Sequence, residues 1–228
     1  MNKEFQDFIV QIITFLKENE VILENIISYE EQQKEEILKH ANNGWFYDMN
    51  FTTFESKKLD DKFFMEHFEN NIEYICKSLV DSYPKRAKII EKAINSHKIG
   101  DYELSIPVLL SQIDGIYKEE TQTEYFQKLG KKKTTIEENV IKEIKNSHND
   151  IMNILIIPFC SNLAISYSEK DRNKSGLNSF DLNRHAILHG ESTDYGTKIN
   201  SLKTISFLNF TAQFFAELKY QKYTSSKS

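Results

Sequence analysis

The sequence predicts an all-α protein, and three observations carry that prediction. Apolar residues recur at steps of three and four along nearly the whole chain, which lines them up on one face of a helix. Only 7 Gly and 3 Pro punctuate 228 residues, too few tight turns for a sandwich or a barrel. No segment sustains the two-residue alternation of a half-buried strand. Hydrophobic residues make up 39% of the chain, with 16 Phe and 11 Tyr among them, so a packed core is within reach and wholesale disorder is excluded.

The elements follow in order. Phe5, Phe8, Ile9, Ile12, Phe15 and Leu16, then Ile22, Ile26, Tyr29, Ile37 and Leu38, predict amphipathic helix to about Ala41, stopped by Asn42-Asn43-Gly44. From Trp45 to Phe54 helical periodicity fails, and an aromatic connector packed over the body is expected, with Trp45 as a packing anchor. Helix returns with Phe64, Phe68, Ile72, Ile75 and Leu79. Pro84 suits the first turn of the next helix, which faces inward with Ala87, Ile90 and Ile94 and ends at Gly100. Residues 100–110 look like half of a helical hairpin repeat, but no second copy follows, so no solenoid is expected. Pro107 should kink the next helix or sit in its first turn, ahead of Leu109, Leu110, Ile113, Ile116 and Tyr117.

Gly130 and Lys131 to Lys133 mark a linker, and Thr135 with Glu138 forms a capping box. Asn149-Asp150 opens an apolar helix through Ile154, Ile157 and Leu163. Residues 170–178 are expected as a polar loop, and Ser179 as the cap of a short helix ending at Gly190. Gly196-Thr197 opens the last helix, with Ile199, Leu202, Ile205, Phe210, Phe214 and Leu218 inward. The organisation expected is an N-terminal helical region over 1–99, a helical bundle over 100–223 and a disordered tail over 224–228.

Composition also bounds function. Lys plus Arg is 29 and Asp plus Glu is 34, a net charge of −5, so no general nucleic-acid-binding surface is expected and any such binding must be local. Cys76 and Cys160 are too few for a disulfide framework and lack metal-ligand spacing, so inert thiols are expected. Met1 to Phe5 is charged and mixed, unlike a signal peptide, and the longest apolar run, Ile154 to Cys160, is roughly a third of a membrane span. A soluble, cytoplasmic protein with no membrane partner is the expectation.

One stretch carries chemistry: Phe180 to Gly190 holds Asp181, Arg184, His185 and His189. Three readings compete. Asp181, His185 and His189, spaced i, i+4, i+8, could form a metal face, although no Glu lies between the histidines as in the metalloprotease motif. Alternatively the histidines only favour a helix C-terminus, and Gly190 is an ordinary C-terminal cap. The third reading is phosphoryl transfer without a metal. Arg184 brings a permanent charge and a planar fork, and His189 can move a proton near neutral pH. On an ideal helix the two lie about 140° apart modulo a turn, so they converge only through the length of Arg184 and the fraying end beside Gly190.

The run Arg184-His185-Ala186-Ile187-Leu188-His189 resembles the Arg-x4-His motif of HEPN domains (higher eukaryotes and prokaryotes nucleotide-binding). As in that family, a polar residue follows the Arg, Gly follows the second His, and the motif precedes the final helix. The resemblance covers about residues 101–223. It implies a HEPN-like helical bundle and a metal-independent endoribonuclease that needs no cofactor, acting as a bacterial toxin or in antiviral defence and abortive infection. Arg184 and His189 would be catalytic. A homodimer is implied, since two such motifs share one cleft in active members and this chain has one; an antitoxin or defence-complex protein is a further partner. Members also exist as non-catalytic binding modules, which leaves a helical adaptor for a protein, RNA or nucleotide as the alternative. Where some members carry a Tyr two residues after the His, a site of modification, this chain has Glu191.

Supporting candidates have two readings each. Asp114 interrupts an apolar face and either orients Arg184 or His185 or is a boundary residue. Asn183 and His185 flank the Arg, and one of them is expected to face the cleft. Tyr195 either stacks on a base or packs in the protein, and Lys131, Lys132 and Lys133 either contact RNA phosphates or form a solvated linker.

Overall fold

The computed structural model describes residues 31–50, 59–122, 125, 150–176 and 182–225. The chain divides into two compact units, Met1–Glu36 and Ile37–Ser228. Of the first, residues 31–36 are described, and they are helical. The second is all-α, with no strand among its described residues. The boundary expected at 99/100 falls inside this second unit, between two helices that pack against each other.

Helix α1 covers 37–42 and ends where expected, with Gly44 at φ +86°. The connector then buries Trp45, Phe46 and Tyr47. Phe46 stacks on Phe207 with centroids 3.9 Å apart, and Trp45 donates from Nε1 to Asp61 Oδ1 at 2.8 Å. The single helix expected over residues 64–79 is two, α2 (Asp61–Asn70) and α3 (Ile72–Ser82). Asn71 divides them and caps the end of α2: its backbone N–H and its side-chain amide both donate to His67 O, at 3.1 and 2.8 Å. Helix α4 (Ala87–Lys98) buries Ile90, Ala93, Ile94 and His97.

Helix α5 (Tyr102–Thr121) is twenty residues long and contains Pro107. Proline has no N–H, so the carbonyl of Glu103 loses its helical donor. The Tyr195 hydroxyl donates to that carbonyl at 3.0 Å instead. Leu109, Leu110, Ile113 and Ile116 on α5 are fully buried.

The helix expected from Asp150 to Leu163 breaks into α6 (Asp150–Leu155) and α7 (Ile157–Cys160) around Pro158, and Leu163 is buried in extended backbone before a 3-10 turn at Ala164–Ser166. The polar loop expected over 170–178 is corrected: Glu169–Ser175 forms helix α8. Its cap is Ser168, whose Oγ accepts from Asp171 N at 3.4 Å and donates to Asp171 Oδ2 at 2.6 Å. The short helix α9 is Arg184–Leu188, capped by Asn183; Ser179, expected as its cap, lies outside the described residues. Helix α10 (Lys198–Ser225) opens after Thr197, whose Oγ1 accepts from Asn200 N at 3.2 Å, and runs past the expected start of the tail at 224.

Helix α10 runs through the core. It packs most extensively on α5 and also meets α2 and α3. Leu202, Ile205, Phe207, Leu208, Phe210 and Phe214 are all buried. Each such side chain contributes about 1.5–3 kcal/mol when removed from water. Buried Thr204 and Thr211 donate back to the carbonyls of Asn200 and Phe207, both at 2.8 Å, so these two hydroxyls are satisfied within the helix. No described helix is long and apolar enough to cross a membrane.

Candidate functional site

The site is built around α9, five residues long and too short to stand without tertiary support. Asn183 supplies that support at its start. Its side-chain oxygen accepts from Ala186 N and Arg172 Nη1, both at 2.9 Å. Its amide nitrogen donates to Ala164 O at 2.8 Å and Tyr167 O at 3.1 Å. Asn183 is buried with both ends of its amide engaged, so it fixes the helix to the 3-10 turn and does not face solvent.

The C-terminal end is set by Gly190, at φ +73°. Gly190 N donates to Ile187 O at 3.2 Å and Glu191 N to Ala186 O at 2.8 Å, the two bonds of a Schellman motif. That motif requires the left-handed conformation, which glycine adopts without a Cβ penalty. It turns the chain back along α9 and brings the Glu191 side chain to the face of His185.

Between these ends stand the charged groups. Arg184 Nη2 lies 3.9 Å from Asp114 Oδ2 on α5, so the acid singled out in the sequence is beside the motif arginine. Asp114 Oδ1 also accepts from Tyr125 N at 2.9 Å, which fixes the carboxylate. His185 and His189 meet edge to face with ring centroids 4.4 Å apart. His189 caps the helix C-terminus and is exposed. His185 Nε2 lies 3.8 Å from Glu191 Oε1. The other oxygen of Glu191 pairs with Arg172 Nη2.

Arg172 and Glu191 were not foreseen as site residues. They come together across nineteen positions through the fold of α8, and no local periodicity marks such a pair. The Tyr195 hydroxyl is committed to Glu103, and burial together with the nearby Glu103 carboxylate raises its pKa. Its ring packs partly buried against the core. Lys131, Lys132, Lys133 and Asp181 lie outside the described residues. Among the described residues no group of three or more His, Cys, Asp or Glu could hold a metal ion.

No protein-family model, curated protein or solved structure matches this chain. A functional reading rests on the side chains around α9 and on the Arg-x4-His pattern of residues 184–189.

Two other histidines are engaged in structure. His97 Nδ1 lies 2.8 Å from Ser201 Oγ, which in turn reaches Ser105 Oγ at 3.3 Å. Burial pushes the His97 pKa down, which favours a neutral ring inside the bundle. His67 Nε2 lies 3.0 Å from Asp48 Oδ2, while Asp48 Oδ1 accepts from Gln213 Nε2 at 2.8 Å and Asn50 N at 3.0 Å. Burial raises the Asp48 pKa, but the bonds from His67, Gln213 and Asn50 outweigh it and hold the pKa below its ordinary value.

Proposed function

We propose that the protein is a metal-independent endoribonuclease that cleaves RNA by attack of a 2′-hydroxyl on the adjacent phosphate. The observation that carries this reading is the Arg184, His185 and His189 constellation. An exposed imidazole stands at a helix end, in ring contact with a second histidine, and next to the latter is an arginine paired with Asp114 at 3.9 Å. Arg184 stabilises charge building on the phosphate oxygens. His189 takes the proton of the 2′-hydroxyl or delivers one to the leaving 5′-oxygen. The O2′–P bond forms and the P–O5′ bond breaks, so the products are a 2′,3′-cyclic phosphate and a 5′-hydroxyl. The Arg-x4-His resemblance supports a homodimer in which the mate's His189 takes the complementary role, in a cytoplasmic toxin or antiviral-defence setting.

A non-catalytic helical adaptor is the second reading, favoured by exposed Ile99, Leu104 and Val108 around the start of α5. Incubating the protein with RNA in EDTA separates the two. Cleavage to cyclic-phosphate ends supports the nuclease, and an intact RNA supports the adaptor. Cleavage only with added metal, or 5′-phosphate ends, overturns the mechanism and returns attention to Asp181, His185 and His189.

A further inference from the structure

We infer that Glu191 is a positioning residue of this site, acting through His185, with Arg172 as its anchor. The kinetic consequence rests on the ribonuclease reading above; the geometry does not.

The argument starts from what holds His189. It is the residue after the last turn of a five-residue helix, and its side chain is exposed. An exposed imidazole samples several rotamers unless something fixes it, and a proton-transfer group works only near its productive geometry. The contact present is the ring of His185 at 4.4 Å. His185 is itself only part-buried, and Glu191 Oε1 faces its Nε2 at 3.8 Å.

Glu191 is a long, half-exposed side chain, and it too needs a support. Its second oxygen is held by Arg172. The Arg172 side chain is 12% exposed, and its other terminal nitrogen donates to Asn183 Oδ1 at 2.9 Å and Tyr167 O at 3.3 Å. The result is a continuous brace. It begins at the buried amide of Asn183, passes through Arg172, Glu191 and His185, and ends at His189. The Schellman turn at Gly190 is what folds Glu191 into it.

A carboxylate here is unfavourable for RNA binding, since it repels phosphate. Its effect on binding and its effect on positioning therefore have opposite signs, which makes the role measurable. Glu191→Gln should lower kcat by on the order of 10- to 100-fold, by analogy with the outer-shell partners that orient metal-ligating histidines. Its KM should fall or stay level, because a negative charge leaves the RNA site. Glu191→Asp should recover part of the lost kcat. Combining Glu191→Gln with His185→Ala should slow the enzyme no further than His185→Ala alone, because the first acts through the second.

One measurement is independent of turnover. The proton cross-relaxation between the His185 and His189 rings, seen by NMR in the full chain, should weaken or vanish in Glu191→Gln while the thermal midpoint stays at the wild-type value. A kcat within about two-fold of wild type, strict additivity with His185→Ala, or a retained ring-to-ring signal overturns the inference. If the wild-type chain cleaves no RNA but the ring signal is lost in Glu191→Gln, the brace stands and the ribonuclease reading alone falls.

Discussion

Helix α10 packs on α5, and Leu202, Ile205 and Phe210 on the one and Leu109, Ile113 and Ile116 on the other are all fully removed from solvent. Where α9 meets the same α5, the named contact is Arg184 with Asp114 at 3.9 Å, both part-exposed. The first region is held by non-directional apolar burial spread over many side chains, so no single polar bond decides it. The second is held by directed bonds that converge on Asn183, Arg172 and Glu191. A loss in the first should cost stability throughout the unit. A loss in the second should cost geometry at one place and leave the bundle standing.

The most severe test of that contrast is His189→Ala. Loss of a positioned proton-transfer group costs on the order of 10²–10⁴ in rate. On the proposed ribonuclease reading, RNA cleavage should drop by that much while the thermal midpoint and helical circular dichroism stay unchanged. A parallel drop in midpoint would show that the α9 turn is part of the core after all. On the other side of the contrast, Phe210→Ala removes a fully buried ring that packs on Phe46, Phe159 and Phe214. It should destabilise by about 3–5 kcal/mol in urea unfolding, and any cleavage the folded fraction retains should be normal per molecule.

Asn183→Ala tests the hinge between the two regimes. It removes a helix cap and leaves the Ala164 and Tyr167 carbonyls without their amide donor, a cost of about 1–3 kcal/mol. Cleavage should fall more than the stability change alone explains, because Arg172 loses a partner at the same time. Gly190→Ala is milder. A Cβ there meets nothing within 4 Å, so the cost is only the left-handed backbone, about 1 kcal/mol. The smallest effect concerns pH. The Asp48 pKa lies below its ordinary value of 3.8, so its contribution is complete above about pH 4 and is lost as pH falls through the lowered value. Acid unfolding of Asp48→Asn should accordingly be less steep below pH 4 than that of wild type, as followed by circular dichroism.

The same contrast explains what could be foreseen from sequence. Helices α5 and α10 announce themselves, because Leu109, Ile113 and Ile116, or Leu202, Ile205 and Phe210, recur at helical spacing. Asp114 was visible because a carboxylate on an apolar face needs a partner, and Arg184 lies beside it. Helix α8 was missed because none of its residues is buried, so it has no apolar stripe to detect. The available signal was Ser168 three positions before Asp171, with Gly176 closing the helix at φ +70°. The capping role of Asn183 was hidden for a related reason, since its partners at 164, 167 and 172 are assembled only by tertiary folding. Glu191 stands where some members of the resembled family carry a Tyr, and its pairing with Arg172 has no local signature.

Pro107 has a consequence for the segment that follows the site. A proline inside a helix leaves one carbonyl spare, and here Glu103 offers that spare acceptor to the hydroxyl of Tyr195. The stretch from Gly190 to Thr197 is thus clasped at both ends, by the turn against α9 and by a flaw in α5. Pro107→Ala would return to the Glu103 carbonyl the donor from its own helix, and the oxygen has lone pairs for both. With Pro107 in place, the strap's hydroxyl supplies the donor that the proline removes from α5.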